Sequence, residues 1–117
     1  MEIYVHPTCT SCKKAERLLK EFGVDVLRRD YFRDPFTSDE LKDVFSRAGV
    51  TPPDMLSTKS TAYRELGLAD REVTSELLLN LMPGNPTLIK RPLIIGKAGS
   101  TTGFDAGKIS ALIAGEG

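Results

Sequence analysis

Residues 3–12 read Ile-Tyr-Val-His-Pro-Thr-Cys-Thr-Ser-Cys, and this stretch decides the fold. It opens with residues that favour strands, and Pro7 then breaks the run because proline cannot continue a central ladder. From Cys12 onward, apolar residues recur at helical spacing: Ala15, Leu18, Leu19 and Phe22. Gly23 follows where helices commonly close. A short strand, a tight turn holding both cysteines and an amphipathic helix are therefore predicted.

The rest of the chain continues this pattern. Val24 to Leu27 come too soon after the helix for an antiparallel hairpin, so a second strand parallel to the first is predicted there. Thr37 and Glu40 have the spacing of a capping box, which predicts a helix over 38–48 ending at Gly49. Two shorter helices are predicted, around residues 63–66 and 77–81. Residues 33–85 thus form a predicted helical insertion.

The last third of the chain predicts a hairpin and a helix. Residues 93–96 and 100–103 are two short strands, each ending at a glycine. Asp105 can cap a final helix, with Gly115 just beyond its end. The element order is βαβ, helices, ββα. We therefore predict an α/β fold with a central mixed four-stranded sheet flanked by helices, and a single domain over 1–117.

Composition narrows the classes of function. Sixteen basic residues balance sixteen acidic ones, so no net field draws the chain to nucleic acid or to a membrane surface. No apolar run approaches the roughly 18 residues that a membrane span needs, and the N-terminus lacks a secretory pattern. We expect no direct nucleic-acid partner, no membrane association and a cytoplasmic location.

The two cysteines are the candidate reactive groups. Cys9 and Cys12 are the only cysteines, so no multi-bridge scaffold is expected, and His6 alone leaves a zinc site incomplete. A thiol at a helix N-terminus faces free amides that favour the thiolate. A CxxC between the first strand and helix is typical of a thioredoxin-like redox protein. We therefore hypothesise that Cys9 is the nucleophile and Cys12 the resolving thiol. The alternative is that the cysteines are unreactive buried thiols or half of a metal site.

Several motifs together resemble a known family over nearly the whole length. The quoted positions are Ile3-Tyr4, Pro7, Cys9 to Cys12, Lys14-Ala15, Leu56 to Ser60, Asn85-Pro86, Leu88, Arg91 to Ile95 and Gly103-Phe104. On these residues the chain resembles the arsenate reductase (ArsC-like) family of the glutaredoxin-linked type and the related Spx regulators.

The resemblance implies a thioredoxin-like fold and a set of site residues. Cys9 is implied as the reactive thiol, and Arg91 as an anion-contacting arginine before a cis Pro92. Thr10, Ser11 and Lys59 complete the implied substrate or anion site. No bound cofactor or metal is expected. Glutathione or another small thiol is the implied co-substrate, with a disulfide substrate, glutaredoxin or thioredoxin as partners.

Departures from the family pattern keep three functions open. Arsenate reductases of this type lack a second thiol at the position of Cys12, which favours Spx-like redox switching. Thr101 stands where they carry a further arginine, and Lys59 where arginine is common, which weakens oxyanion binding. The chain is thus a thiol–disulfide oxidoreductase, a redox-switched regulator binding the RNA polymerase alpha subunit, or an arsenate reductase.

Overall fold

The computed structural model describes residues 1–116. The strands are β1 (Glu2–Val5), β2 (Leu27–Asp30), β3 (Leu93–Gly96) and β4 (Gly99–Thr102). The helices are α1 (Thr10–Glu21), α2 (Ser38–Ala48), α3 (Thr61–Glu65), α4 (Ser75–Leu81) and α5 (Ala106–Glu116). Short 3₁₀ turns lie at Pro53–Met55, Leu68–Asp70 and Pro86–Leu88.

The chain divides into two compact units. The sheet unit consists of Met1–Asp34 and the residues from Arg91 onward, and the helical unit is Pro35–Lys90. The sheet unit contains all the strands with α1 and α5, whereas the helical unit contains α2 to α4. The helical insertion predicted over 33–85 falls on this second segment. The organisation of both units as one domain stays a prediction.

The sheet has the strand order β2-β1-β3-β4. β1 pairs with β2 in parallel and with β3 antiparallel, and β3 pairs antiparallel with β4. The core that covers the sheet joins strand residues to residues of α1 and α5: Ile3, Val5, Cys12, Ala15, Leu19, Ile94, Ile109 and Leu112. The prediction of a mixed four-stranded sheet flanked by helices is therefore confirmed.

The second strand begins later than predicted. β2 is Leu27–Asp30, whereas the sequence pattern placed the strand at Val24 to Leu27. Its register pairs Glu2 with Leu27 and Val5 with Asp30. β2 is an edge strand that leaves Leu27 75% exposed, so it tolerates arginines that a buried strand would reject. Apolar content alone therefore pointed to the wrong residues.

The last helix ends later than predicted, because Gly115 lies inside α5 and not beyond it. Two contacts of Glu116 stabilise the final turn. Its Oε2 accepts a hydrogen bond from Lys97 N at 2.8 Å, and its Oε1 forms an ion pair with the Met1 ammonium at 3.2 Å. A Cβ on Gly115 would collide with the side chain of Ala98. The glycine thus serves close packing and does not stop the helix.

The helical unit begins with the predicted capping box. Thr37 Oγ1 accepts a hydrogen bond from Glu40 N at 3.1 Å, and Glu40 Oε1 accepts one from Thr37 N at 3.0 Å. α2 covers Ser38–Ala48 as predicted and closes at Gly49, whose φ of 72° is left-handed. Of the leucines in α4, Leu78 is fully buried and its neighbours are half-buried.

Candidate functional site

Cys9 lies at the open amide end of α1. It is the N-cap residue, and its Sγ accepts a hydrogen bond from Cys12 N at 3.3 Å. The backbone reaches this position through a turn in which Cys9 N donates to the His6 carbonyl at 3.3 Å. β1 ends at Val5 and Pro7 cannot extend it, so the chain turns directly into the helix. The sulfur consequently occupies the place where a capping oxygen commonly sits.

Cys12 lies one turn further along α1, on the side that faces the core. Its side chain is 1% exposed and shares the buried face of the helix with Ala15 and Leu19. Both cysteines are free thiols, and the Cys12 thiol hydrogen-bonds to the Cys9 sulfur. The two sulfurs therefore converge, with Cys9 the more accessible of the pair.

The two thiols have opposite pKa shifts. Burial opposes ionisation of Cys9, but hydrogen bonds from the Cys12 thiol and amide and from Arg91, together with the Arg91 charge, hold its pKa below the ordinary value. For Cys12, burial and the hydrogen bond to Cys9 raise the pKa to about 12. At neutral pH Cys9 is thus the thiol that ionises more readily, and Cys12 stays protonated.

Arg91 lies just before β3, at the same end of the sheet as the thiols. β1 and β3 are antiparallel, with Tyr4 opposite Leu93, so the residue two positions before Leu93 lies near the end of β1. The Arg91–Pro92 peptide bond is cis. The guanidinium hydrogen-bonds to Cys9, and its carbon lies 6.0 Å from the centre of the Phe32 ring. Within residues 1–116 its buried Nε has no hydrogen-bond partner.

Sequence reasoning missed the aromatic residues that follow β2. Tyr31 is 1% exposed, and burial raises its pKa well above the usual range, with the charges of Cys12 and Cys9 acting in the same direction. Phe32 meets the His6 ring edge-on, with the ring centres 3.9 Å apart. Because β1 and β2 run parallel with Val5 opposite Asp30, the residues after both strands lie side by side. Had β2 been placed correctly in the sequence, its parallel pairing with β1 would have predicted Tyr31 and Phe32 near the thiols.

His6 is held by its own loop. Its Nδ1 is 3.0 Å from both the backbone N and the Oγ1 of Thr8. Burial and the charge of Arg91 lower the pKa of His6, and Asp30 opposes this shift. The ring is therefore mainly neutral near pH 7, and it packs against Phe32.

The remaining predicted site residues lie in different surroundings. Thr10 is the first residue of α1 and is exposed, and Ser11 after it is half-buried. Pro92 is buried, and its carbonyl accepts a hydrogen bond from Gly103 N at 2.9 Å. Lys59 belongs to the helical unit, where it lies exposed shortly before α3. The sheet unit by itself brings together Cys9, Cys12 and Arg91.

Residues 1–116 contain neither a candidate metal site nor a candidate membrane span. No three His, Cys, Asp or Glu side chains in this range are grouped as metal ligands would be. Over the same residues, every helix is too short or too polar to cross a bilayer.

Comparison with known proteins gives one family match and several similar regulators. Residues 4–112 match the ArsC family. The global transcriptional regulator Spx of Streptococcus pyogenes serotype M1 is 30% identical over 95% of this chain and 83% of its own length. The regulatory protein MgsR of Bacillus subtilis is 30% identical over 96% of this chain and 89% of its own.

A solved structure agrees in fold. The arsenate reductase from Vibrio cholerae superposes with a TM-score of 0.83, covering 96% of this chain and 98% of the other, at 24% identity. At that identity the likeness concerns the thioredoxin-like fold alone. The family and fold predicted from the sequence motifs are both confirmed.

Proposed function

The chain belongs to the ArsC family, and from this premise we propose that it is a thiol–disulfide redox protein whose working groups are Cys9 and Cys12. One observation carries the proposal: Cys9 Sγ accepts a hydrogen bond from Cys12 N at 3.3 Å while the Cys12 thiol is buried against it. An accessible sulfur stabilised as an anion, with a second sulfur beside it, is what disulfide exchange requires.

The reaction proceeds in two exchanges. The Cys9 thiolate attacks one sulfur of a substrate disulfide, forms a mixed disulfide and releases the other sulfur as a thiolate, which takes a proton from water. Cys12 then loses its proton and attacks Cys9 Sγ, so that the Cys9–Cys12 disulfide forms and the second substrate thiolate leaves. The substrate gains two electrons and the protein loses two. Two equivalents of a small thiol such as glutathione restore the dithiol.

The pKa of Cys12 fits this order of events. Burial is the largest cause of the raised pKa of Cys12, and the hydrogen bond to the Cys9 sulfur and the Cys9 charge beside it add to the shift. Once Cys9 is part of a mixed disulfide, that charge is gone and Cys12 ionises more easily. The resolving thiol therefore ionises more easily after the first exchange than before it, although its burial persists.

Arg91 anchors an anionic part of the substrate in this proposal. Its buried Nε lacks a partner within residues 1–116, and a buried donor left without an acceptor costs free energy that a carboxylate or other oxyanion would recover. Glutathione carries such carboxylates. Thr10 and Ser11, at the start of α1, are the neighbouring hydroxyls offered to the same group.

Single-cysteine variants test the mechanism. Treated with glutathione disulfide, the wild type should lose both free thiols and form the internal disulfide. Cys12→Ser should stop at a mixed disulfide between Cys9 and glutathione, and Cys9→Ser should remain unmodified. Mass spectrometry distinguishes the three products. An unmodified wild type, or a Cys9→Ser protein that reacts as fast as the wild type, would refute the assignment.

A redox-switched regulator is the second candidate, favoured by the relatives. Spx and MgsR are both named as regulators, and each is 30% identical to this chain over nearly all of it. In this version the Cys9–Cys12 disulfide changes a surface that binds the RNA polymerase alpha subunit. The resemblance to Spx proteins implies a glycine-containing turn for this contact where this chain has Thr51-Pro52-Pro53, which counts against the regulator.

A pull-down separates the regulator from the enzyme. Oxidised and reduced protein are compared for retention of the C-terminal domain of the alpha subunit. If the chain is a regulator, only one redox state should retain the alpha-subunit domain. Cys9→Ser cannot form the disulfide, so it should behave as the reduced protein under both conditions. Equal failure of both states, together with turnover of a glutathionylated peptide by glutathione, decides for the oxidoreductase. Arsenate reduction, the third function, is disfavoured by Thr101, whose side chain is buried in β4.

A further inference from the structure

A second candidate site lies in a groove beside α1, within the sheet unit. Its volume is about 560 Å³, in the range of sites that bind small ligands or several side chains. The floor is apolar and comes from β1, from α1 and from the segment before β2: Ile3, Leu19, Val24 and Val26. Ile3 and Leu19 are almost fully buried, so the groove reaches down to the core.

The rim of the groove is basic. Arg28 Nε pairs with Glu16 Oε1 at 2.9 Å, so these two charges neutralise each other. Lys13, Arg17 and Lys20 remain, all exposed, and none has a carboxylate partner within residues 1–116. Their spacing places them in one row along α1, where like charges repel. In a chain of zero net charge, such a row is a local feature.

Exposed apolar side chains adjoin the groove in sequence. Phe22 and Leu27, 57% and 75% exposed, flank the segment that supplies Val24 and Val26. β2 is also the edge strand of the sheet. A basic row, an apolar floor and exposed apolar residues next to it in sequence are features of protein-binding surfaces.

We propose that this groove binds an acidic segment of a partner protein. Carboxylates of that segment pair with Lys13, Arg17 and Lys20, and its apolar side chains enter the groove and cover Leu27. Nucleic acid fits less well, because the floor is apolar and Glu16 lies in the rim. The binding does not depend on the thiol chemistry, so Cys9→Ser should bind as the wild type does.

The test uses a short fluorescein-labelled peptide in which Glu and Leu alternate. Its anisotropy should rise with added protein and fall as salt is added. Two matched peptides separate the contributions: one has Gln in place of Glu, and the other has Ser in place of Leu. Both should bind more weakly. Amide NMR shifts caused by the parent peptide should concentrate at Ile3 and residues 13–28.

Paired variants locate the binding. Arg17→Glu with Lys20→Glu should weaken the parent peptide about tenfold, because two rim attractions become repulsions. Lys108→Glu makes the same kind of charge change at an exposed position of α5 and should leave affinity unchanged. If the double variant misfolds, as judged by circular dichroism, Arg17→Gln with Lys20→Gln replaces it. The proposal would be overturned by no peptide binding, by equal binding of the variants, or by shifts that concentrate away from Ile3 and residues 13–28. Tighter binding of single-stranded DNA or phosphatidylserine vesicles would also overturn it.

Discussion

One helical turn separates the two thiols, and the difference between them follows from that turn. Cys9 occupies the N-cap, where amide and guanidinium donors meet its sulfur. The Cys12 side chain is buried in the core, and its thiol donates a hydrogen bond to the Cys9 sulfur while keeping its proton. The same hydrogen bond therefore lowers one pKa and raises the other.

Replacing Arg91 should make Cys9 less acidic. Arg91→Gln removes both the charge and a hydrogen bond that favour the Cys9 thiolate, so the pKa of Cys9 should move up toward its ordinary value. The rate of iodoacetamide alkylation as a function of pH measures this directly, and the expected slowing at pH 7 is a few-fold to about tenfold.

Two controls make the Arg91 result specific. Arg91→Lys keeps a positive charge without the planar fork, so its alkylation profile should fall between those of wild type and Arg91→Gln. Arg28→Gln removes an exposed cation that pairs with Glu16 and should leave the profile unchanged. An Arg91→Gln protein with the wild-type profile would mean that the Cys12 thiol and amide stabilise the thiolate without help from Arg91.

At the scale of elements, local signals worked where an element's own residues terminate it. The capping box of α2 and the left-handed Gly49 are read from sequence, because a helix end needs local partners for its free amides and carbonyls. Local signals gave the wrong bounds for β2, because the sheet edge accepts charged residues. They also gave the wrong end for α5, because Glu116 in its last turn contacts Met1 and Lys97.

At the scale of the whole molecule, stability should depend on pH in two opposite ways. Cys9 ionises more easily in the folded chain, so unfolding free energy should rise with pH up to about 8.5, where the unfolded thiol ionises. Cys12 keeps its proton until about pH 12 when folded. Above pH 8.5 the unfolded state therefore holds fewer protons, and stability should fall by up to about 1.4 kcal/mol per pH unit.

Urea unfolding of the reduced protein between pH 7 and 10 measures this profile. Cys12→Ala should flatten the fall above pH 8.5, although the variant starts from a lower stability because a buried side chain is shortened. The slope and not the absolute value is compared. Buried Tyr31 adds a further fall only near pH 10, where unfolded tyrosine ionises. An unchanged slope in Cys12→Ala would show that the buried thiol is not the cause.

The amino-acid sequence determined the family, the strand–helix start and the place of Cys9 on α1, because periodicity, caps and motif spacing act within a few residues. Only the tertiary structure decided what surrounds the thiols. Arg91 joins them through the antiparallel pairing of β3 with β1, and Tyr31 and Phe32 through the parallel register of β2. A hydrophobic pattern specifies register where one face of a strand is buried, but β2 has no buried residue, so contacts between residues far apart in the chain decide its pairing.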